Sequence, residues 1–349
     1  MGLPIIDKRE WKDVWTLAEV SKSNHLHSIS FELLTWGREL ADQRGCRLCS
    51  VVLCDQLPEG ELEELIRHGA DVVYVVKHKQ LQNFVPESDA KVLTHLIQKY
   101  KPEVFIAGAT TTGRTVMPYV AIRTDAGLTA DCTELEIDPE SGNLHQTRPA
   151  IGGNIMATIK TPDARPQMAT VRPKSAHPLP RDLDRTGEII HVDDVPEEAF
   201  TARMVYEEFI GDSTNEMPIE DADIVIAGGK GMVNSQNFVI LEQLAHILGG
   251  AVGVSRTAVD QGWRPYSQQV GLSGKTVAPT LYIACGISGA VQHLVGMKTA
   301  ENIIAINTDP KATIFEVADL GIVGDLFTMV PLITEMIRQE KSKKGQAHG

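Results

Sequence analysis

Lys230, Ser255, Arg256, Gln269–Gly274, Ser288–His293, Asn307 and Asp325 stand at, or shortly after, the ends of apolar runs of strand length. Most of them offer hydrogen-bond donors: a cation, a hydroxyl, a carboxamide or a backbone N–H in a Gly-rich turn. In a parallel sheet those ends converge on one edge. Such an edge suits a long anionic ligand with a hydrogen-bonding ring system. The densest part is Gln269-Val-Gly-Leu-Ser-Gly-Lys-Thr276, followed by Leu281-Tyr-Ile-Ala-Cys-Gly-Ile-Ser-Gly-Ala-Val-Gln-His293. It reads as a Gly-rich loop, a buried strand over Leu281–Cys285, and a sharp turn (Gly286, Ser288, Gly289) that opens a helix. Unpaired N–H groups at a helix start carry the positive end of its dipole and attract anions. His293 falls about one helical turn beyond that start, with Gln292 beside it. Either loop alone reads better as an ordinary tight turn; their company on one edge reverses this in favour of a phosphate-bearing cofactor.

Familiar nucleotide and nucleophile motifs fail in detail. Gly228-Gly-Lys-Gly231 follows a strand and precedes a helix, but the third Gly of a dinucleotide fingerprint, counted from Gly229, would be Asn234. No acidic residue ends the next strand to hold a ribose; Ser255 and Arg256 stand there instead. This disfavours a nicotinamide-dependent oxidoreductase. Gly271-Leu-Ser-Gly-Lys-Thr276 mimics a Walker loop whose first Gly would have to be residue 269, which is Gln. There is no Gly-x-Ser-x-Gly elbow, and Ser288 has no Asp/His partner readable from spacing. Cys46-Arg-Leu-Cys49 has no second pair to complete a zinc site and lies at a strand start, and the 11 His residues show no HExxH spacing, so no metal is expected.

Composition sets the frame for these residues. The 349 residues suffice for two domains, and 42% hydrophobic with 23% charged residues is ordinary for a globular chain. A formal net charge of -13 argues against nucleic-acid or anionic-membrane partners. No apolar run approaches the roughly 20 residues that span a bilayer. The start Met1–Glu10 lacks the apolar core of a signal peptide. A cytoplasmic location is the expectation.

The elements that must position the donors alternate between strand and helix. Asp13–Val20 reads as a strand, Ser28–Gly45 as an amphipathic helix stopped by Gly45, and Arg47–Cys54 as a strand covered on both faces. Gly60–His68 and Asp89–Tyr100 read as helices, Asp71–Val76 and Val104–Gly108 as strands. This alternation predicts α/β architecture with mainly parallel sheets flanked by helices. Gly108-Ala-Thr-Thr-Thr-Gly-Arg114 then forms either a ligand turn or an N-cap for a helix over Thr115–Arg123, with Arg114 free to meet a phosphate or a neighbouring subunit. Thr133–Ile137, Leu144–Arg148, Met156–Lys160 and Gln167–Val171 read as an antiparallel extension of that sheet, with a loop at Gly152-Gly-Asn154. Pro173–Phe200 reads as surface wrapping and Arg203–Ile210 as a strand. The polar stretch Gly211–Asp221 separates an N-terminal domain, 1–210, from a C-terminal one, 211–349. In the latter Asp223–Gly231, Ala251–Val254, Leu281–Cys285 and Asn302–Asn307 carry strands. Ser235–Leu248 and Leu326–Gln339 carry helices, and a frayed Lys/Gly-rich tail follows.

Across almost its whole length the sequence resembles the alpha subunit of electron transfer flavoproteins. The resemblance is carried by Gly228-Gly-Lys-Gly231, Gly253-Val-Ser-Arg256, Gln269-Val-Gly271, Leu281–Met297, Asn302–Pro310 and Pro331–Met336. Upstream it is carried by Gly108–Gly113, Gly127-Leu-Thr-Ala-Asp-Cys132 and Met168-Ala-Thr-Val-Arg-Pro173. It implies one FAD in a doubly wound C-terminal domain, and an N-terminal domain that docks a beta subunit. Carried over, the FAD contacts would be Lys230, Ser255, Arg256, the run Gln269, Val270, Gly271, Leu272, Ser273 and Gly274, the run Gly286, Ile287, Ser288, Gly289, Ala290, Val291, Gln292 and His293, and then Asn307, Asp325 and Leu326. Ser255 and Ser288–Gln292 would serve the pyrophosphate and ribityl region, and Asn307, Asp325 and Leu326 the adenosine. Arg256, Ser273 and His293 would lie at the isoalloxazine, with Arg256 and a His293 donor favouring the electron-rich flavin.

Lys230 stands where this family usually has Arg, and Leu272-Ser273 where Gln-Thr is frequent. The latter wording is similar to that of anaerobes, some of whose flavoproteins bifurcate electrons from NADH toward ferredoxin or flavodoxin. The resemblance implies a second FAD in the beta subunit for that chemistry, or AMP there for a plain shuttle. It also implies a flavin dehydrogenase, such as an acyl-CoA dehydrogenase, as electron partner. A nucleotide-binding regulatory module holding ATP or AMP is the rival from another class.

Overall fold

The computed structural model describes residues 7–21, 23–150, 155–208, 218–220 and 222–346. The chain forms two compact units, Met1–Glu208 and Phe209–Gly349. Most of the expected boundary stretch Gly211–Asp221, and the loop Gly152-Gly-Asn154, lie outside the described residues.

The first unit begins with β1 (Lys12–Ala18), α1 (Ser28–Arg44), β2 (Leu48–Cys54), α2 (Glu61–Arg67), β3 (Val72–Lys77), α3 (Pro86–Tyr100), β4 (Pro102–Gly108) and α4 (Thr111–Arg123). Helix α1 ends because Gly45 takes a left-handed conformation, φ 62°, and its N–H bonds the Ala41 and Asp42 carbonyls. Its Leu33, Leu34 and Leu40 are fully buried on one face of the sheet with Leu65 of α2, while Leu93 and Leu96 of α3 and Met117 of α4 pack on the other. Each such leucine contributes about 2 kcal/mol by leaving water. The order of these strands, β3-β2-β1-β4, reverses direction between β1 and β4, where a crevice opens in doubly wound sheets.

Beyond α4 the structure corrects several expectations. Strands β5 (Gly127–Cys132), β6 (Glu134–Ile137), β7 (Leu144–Pro149), β8 (Met156–Ile159), β9 (Gln167–Val171) and β10 (Glu188–His191) follow. Only β6-β7-β8 are antiparallel, and they form their own three-stranded sheet. Gln167–Val171 is no antiparallel extension: β9 pairs in parallel with both β4 and β5 inside a seven-stranded sheet. Its unbroken burial fits a strand covered on both faces. The Pro- and Asp-rich wrap contains an edge strand, β10, parallel to β3. Residues 203–208 hold no strand, and 209–210 lie outside the described residues.

The second unit is a five-stranded parallel sheet in the order β12-β11-β13-β14-β15. The elements are β11 (Ile224–Gly228), α5 (Val239–Leu248), β12 (Ala251–Val254), α6 (Arg256–Asp260), β13 (Leu281–Cys285), α7 (Val291–Leu294), β14 (Ile303–Asn307), β15 (Leu320–Val323) and α8 (Leu326–Gln346). Strand β15 was not read from the sequence, since its residues are mostly exposed and carry no apolar alternation. The helix after Ser288 has four residues, so a strong helix dipole there is ruled out. Helix α8 runs seven residues past the expected Gln339, to Gln346. The strand order reverses between β11 and β13, and this crevice positions the candidate site.

Candidate functional site

All five strands of the second unit end at the same edge, and the residue or residues after each end line one cleft of about 390 Å³. Lys230 and Gly231 come from beyond β11, Ser255 and Thr257 from beyond β12, and Gly286, Ile287 and Ser288 from beyond β13. Asn307 and Thr308 come from β14's end, and Gly324, Asp325 and Leu326 from beyond β15.

The floor is closed by backbone pairing across the crevice. The Gly229 N–H donates to Cys285 O (2.9 Å) and the Gly231 N–H to Gly286 O (3.0 Å). A Cβ at Gly231 would stand 2.7 Å from the Gly286 Cα, so only glycine permits this approach. The Ser255 N–H donates to Gly228 O (3.0 Å), and Asn307 Nδ2 to Ile287 O (2.9 Å). Asp325 caps α8, accepting the Phe327 N–H on Oδ1 at 3.0 Å.

The side chains of Lys230, Ser255, Thr257, Ser288 and Thr308 make no hydrogen bond or ion pair among the described residues, although every one lines the cleft. Against these donors stands a single carboxylate, Asp325, already engaged by its helix. A cation with several free hydroxyls beside backbone N–H groups is a donor set that fits a phosphate-bearing ligand.

A second cluster forms where the Gly-rich loop meets the turn after β13. Val270 N–H donates to Val254 O (2.9 Å), Lys275 N–H to Gln269 O (2.6 Å) and Leu272 N–H to Gln292 O (2.6 Å). Gln269 and Val270 are buried, and Gln269 Nε2 donates to Ser273 Oγ at 3.1 Å. Leu272, Ser273, Ala290, Val291 and Gln292 are exposed, whereas Gly271 and Gly289 are buried and Gly274 half-buried.

His293 departs from its expected place. It is only 6% exposed. Val270 O lies 3.1 Å from Nδ1, and a carbonyl can only accept, so the proton sits on Nδ1. Nε2 is then the acceptor for the Tyr282 hydroxyl at 2.9 Å. Burial holds the ring neutral, its pKa pushed down to about 4. With both nitrogens used inside the protein, His293 offers no donor to a ligand ring; it props the loop through Val270. Arg256 is exposed and loosely paired with Asp260, Nε to Oδ2 3.4 Å, one helical turn away on α6. Arg256, Ser273 and His293 share no hydrogen bond or ion pair with one another.

Of the expected residues, Lys230, Ser255, Gly286, Ile287, Ser288, Asn307, Asp325 and Leu326 are brought together in the cleft. Sequence reasoning missed four cleft residues: Gly231, Thr257, Thr308 and Gly324. Each is within two residues of one that was named, so strand-end position was the available signal.

The first unit has its own small cavity, about 80 Å³, at the ends of β1 and β2 and beside α3 and α4. Among the described residues its lining holds the carboxylates Glu19, Asp55 and Asp89 and no Lys, Arg or His. Burial raises both Glu19 and Asp89 to about 7, a hydrogen bond from Thr110 Oγ1 (2.6 Å) partly offsetting this at Glu19. The same Thr110 oxygen caps α4 by accepting the Gly113 N–H, so Gly108–Arg114 is an N-cap turn. Arg114 faces Asp131 of its own unit (3.5 Å). Among the described residues no group of His, Cys, Asp and Glu is arranged to hold a metal ion, and no helix is long and apolar enough to cross a membrane.

Comparison with known proteins finds two family models that match this chain. Residues 14–197 match the family described as "Electron transfer flavoprotein domain" and residues 218–298 the "Electron transfer flavoprotein FAD-binding domain". The chain is 46% identical over 333 residues to the "Electron transfer flavoprotein subunit alpha" of Thermoanaerobacterium thermosaccharolyticum, covering 95% of this chain and 99% of that one. It is 44% identical to the subunit of the same name in Megasphaera elsdenii, covering 96% and 99%. It is 45% identical to "Protein FixB" of Azotobacter vinelandii, covering 96% and 92%.

Proposed function

This chain belongs to the electron transfer flavoprotein alpha-subunit family, and from that premise we propose that its second unit holds one FAD and relays electrons in a heterodimer with a beta subunit. The observation that carries the reading is the convergence of five strand ends on one cleft whose cation and hydroxyls lack partners among the described residues. A bound flavin supplies reversible storage of one or two electrons.

Lys230, Ser255 and Ser288 would hold the diphosphate. Asn307 and Asp325, with Leu326 as the apolar wall, would hold the adenosine. The loop Gln269–Gly274 and the turn Gly289–Gln292 would form the seat of the ring, with Ser273 presenting a hydroxyl fixed by Gln269. Arg256 would stabilise negative charge on the reduced ring by turning away from its weak contact with Asp260. His293 holds the seat in shape through the Val270 carbonyl. In this reading the chain is a relay that makes no bonds to an organic substrate.

The electron donors and acceptors in this reading are a flavin dehydrogenase, such as an acyl-CoA dehydrogenase, or NADH acting through the beta subunit. Leu272-Ser273 supports the bifurcating branch, with ferredoxin or flavodoxin as a low-potential acceptor and a second FAD rather than AMP in the beta subunit. The test is to purify the chain with its beta subunit, record flavin absorbance and release the bound nucleotides with acid. Two FAD per heterodimer, one reducible by NADH, is the expected result. One FAD with AMP would leave a plain shuttle, and a colourless complex that takes up no FAD would overturn the proposal.

A further inference from the structure

Between β11 and α5 the chain makes a turn that cleft formation alone does not demand. Val233 has φ 70° and ψ -42°, and the Asn234 N–H donates to Met232 O at 2.8 Å. Together these define a γ-turn of the rare, strained hand, centred on a β-branched residue for which positive φ is least suited. The Val233 side chain is 62% exposed, so it gains little packing to offset the strain.

The surroundings show what keeps the turn in place. Met232 is fully buried in the core that also holds Phe238 and Leu241. Its carbonyl accepts a second hydrogen bond, from Asn237 Nδ2 at 2.8 Å. Asn234 Oδ1 in turn accepts the Asn237 N–H at 3.0 Å. Upstream, the Val233 N–H donates to Lys230 O (3.1 Å), closing the short 3-10 turn that carries Lys230 to the cleft. The Gly231 N–H on Gly286 O pins the other side of that turn. Lys230 is thus set between a glycine contact and a strained turn clamped by a carboxamide.

We propose that Val233 and Asn237 are positioning residues that preorganise Lys230 for the phosphate-bearing ligand of the cleft. Preorganisation requires that the loop be ordered before the ligand arrives, and a strained turn held by its surroundings does this: its ordering is completed on folding and is not left to the binding step. The inference rests on the FAD reading above.

The test measures FAD dissociation from the heterodimer for the wild type, Val233→Gly, Asn237→Ala, Lys230→Gln and the two double variants with Lys230→Gln. Apo-protein melting is recorded alongside. Val233→Gly and Asn237→Ala should each weaken FAD about fivefold to tenfold, as expected when a single charge-assisted contact is loosened. In the Lys230→Gln background both should have almost no further effect, because they act through that side chain. Val233→Gly should lose affinity without a lower melting temperature, a combination that general damage to the fold does not produce. Should Asn237→Ala fail to fold, Val233→Gly carries the test unaided. Wild-type affinity in Val233→Gly, or a loss that simply adds to that of Lys230→Gln, would overturn the inference while leaving the FAD reading intact. A wild-type heterodimer that binds no FAD would overturn the FAD reading itself, and this inference with it.

Discussion

In the proposed reading Lys230 and Arg256 are cations that would feel the charge of a nucleotide cofactor, and they sit in different circumstances. Lys230 lines the cleft without a partner among the described residues, so its contribution is made when an anion arrives. As an ammonium it provides a point charge, not the bidentate fork of arginine. Lys230→Gln is expected to weaken FAD about tenfold and to flatten the salt dependence of FAD release, read by fluorescence of the released flavin. Arg256 is 70% exposed in its side chain, and its ion pair with Asp260 contributes little. Arg256→Ala is therefore expected to leave stability almost unchanged. The reduction potential of the bound flavin should fall, by about 60 mV for each tenfold loss in the relative stability of the one-electron-reduced form. A potentiometric titration that superimposes on the wild type would place Arg256 away from the ring.

At the scale of elements, one buried imidazole helps to hold the loop 269–275 through the Val270 carbonyl, beside the backbone bonds of Val270, Leu272 and Lys275. His293 must stay neutral, with Nδ1–H on the Val270 carbonyl and Nε2 receiving the Tyr282 hydroxyl. Its folded pKa, about 4, lies below the ordinary 6.5, so the unfolded chain takes up the proton first as pH falls. The contribution is fully present above pH 6.5 and is lost progressively as pH drops toward 4, at most about 3 kcal/mol in all. His293→Gln should be less stable than wild type at pH 7.5, and the gap should close by pH 4.5 in denaturant titrations. A gap independent of pH would mean that the ring titrates normally. The spacing of residues 281–293 revealed a His one turn beyond a Gly turn, but not where its nitrogens would point, because Val270 approaches only through tertiary packing. The same limit explains β9. A five-residue apolar strand reads identically whether it is parallel or antiparallel, and its neighbour β5 carries Gly127 and Asp131, which mask its strand character. The strands with long apolar runs, such as β2 and β13, were legible because burial on both faces needs no partner to be recognised.

On the whole-molecule scale the chain contains two sheet crevices of the same kind with opposite electrostatics. Among the described residues, the second unit's cleft collects a cation and hydroxyls without partners, whereas the first unit's cavity collects Glu19, Asp55 and Asp89 and no cation. An overall charge of -13 hides this contrast, which is why composition excluded nucleic acid but could not locate the anion site. The difference predicts a division of labour that can be read in one set of variants. Glu19 and Asp89 titrate near 7 when folded, against 4.5 and 3.8 as their ordinary values. The folded state therefore keeps protons that the unfolded chain releases, and stability falls as pH rises through this window and is level above it. Glu19→Gln preserves an acceptor for Thr110 and removes the cost of ionising a buried carboxyl; Asp89→Asn does the same on α3. Each should raise stability at pH 8 by about 1–3 kcal/mol, with the gain vanishing at pH 4. Both variants should retain the full flavin content of the wild-type heterodimer, since neither residue belongs to the donor-rich cleft. Loss of flavin from either one, with Lys230→Gln still yellow and tightly loaded, would mean that the cofactor is gripped by the first unit.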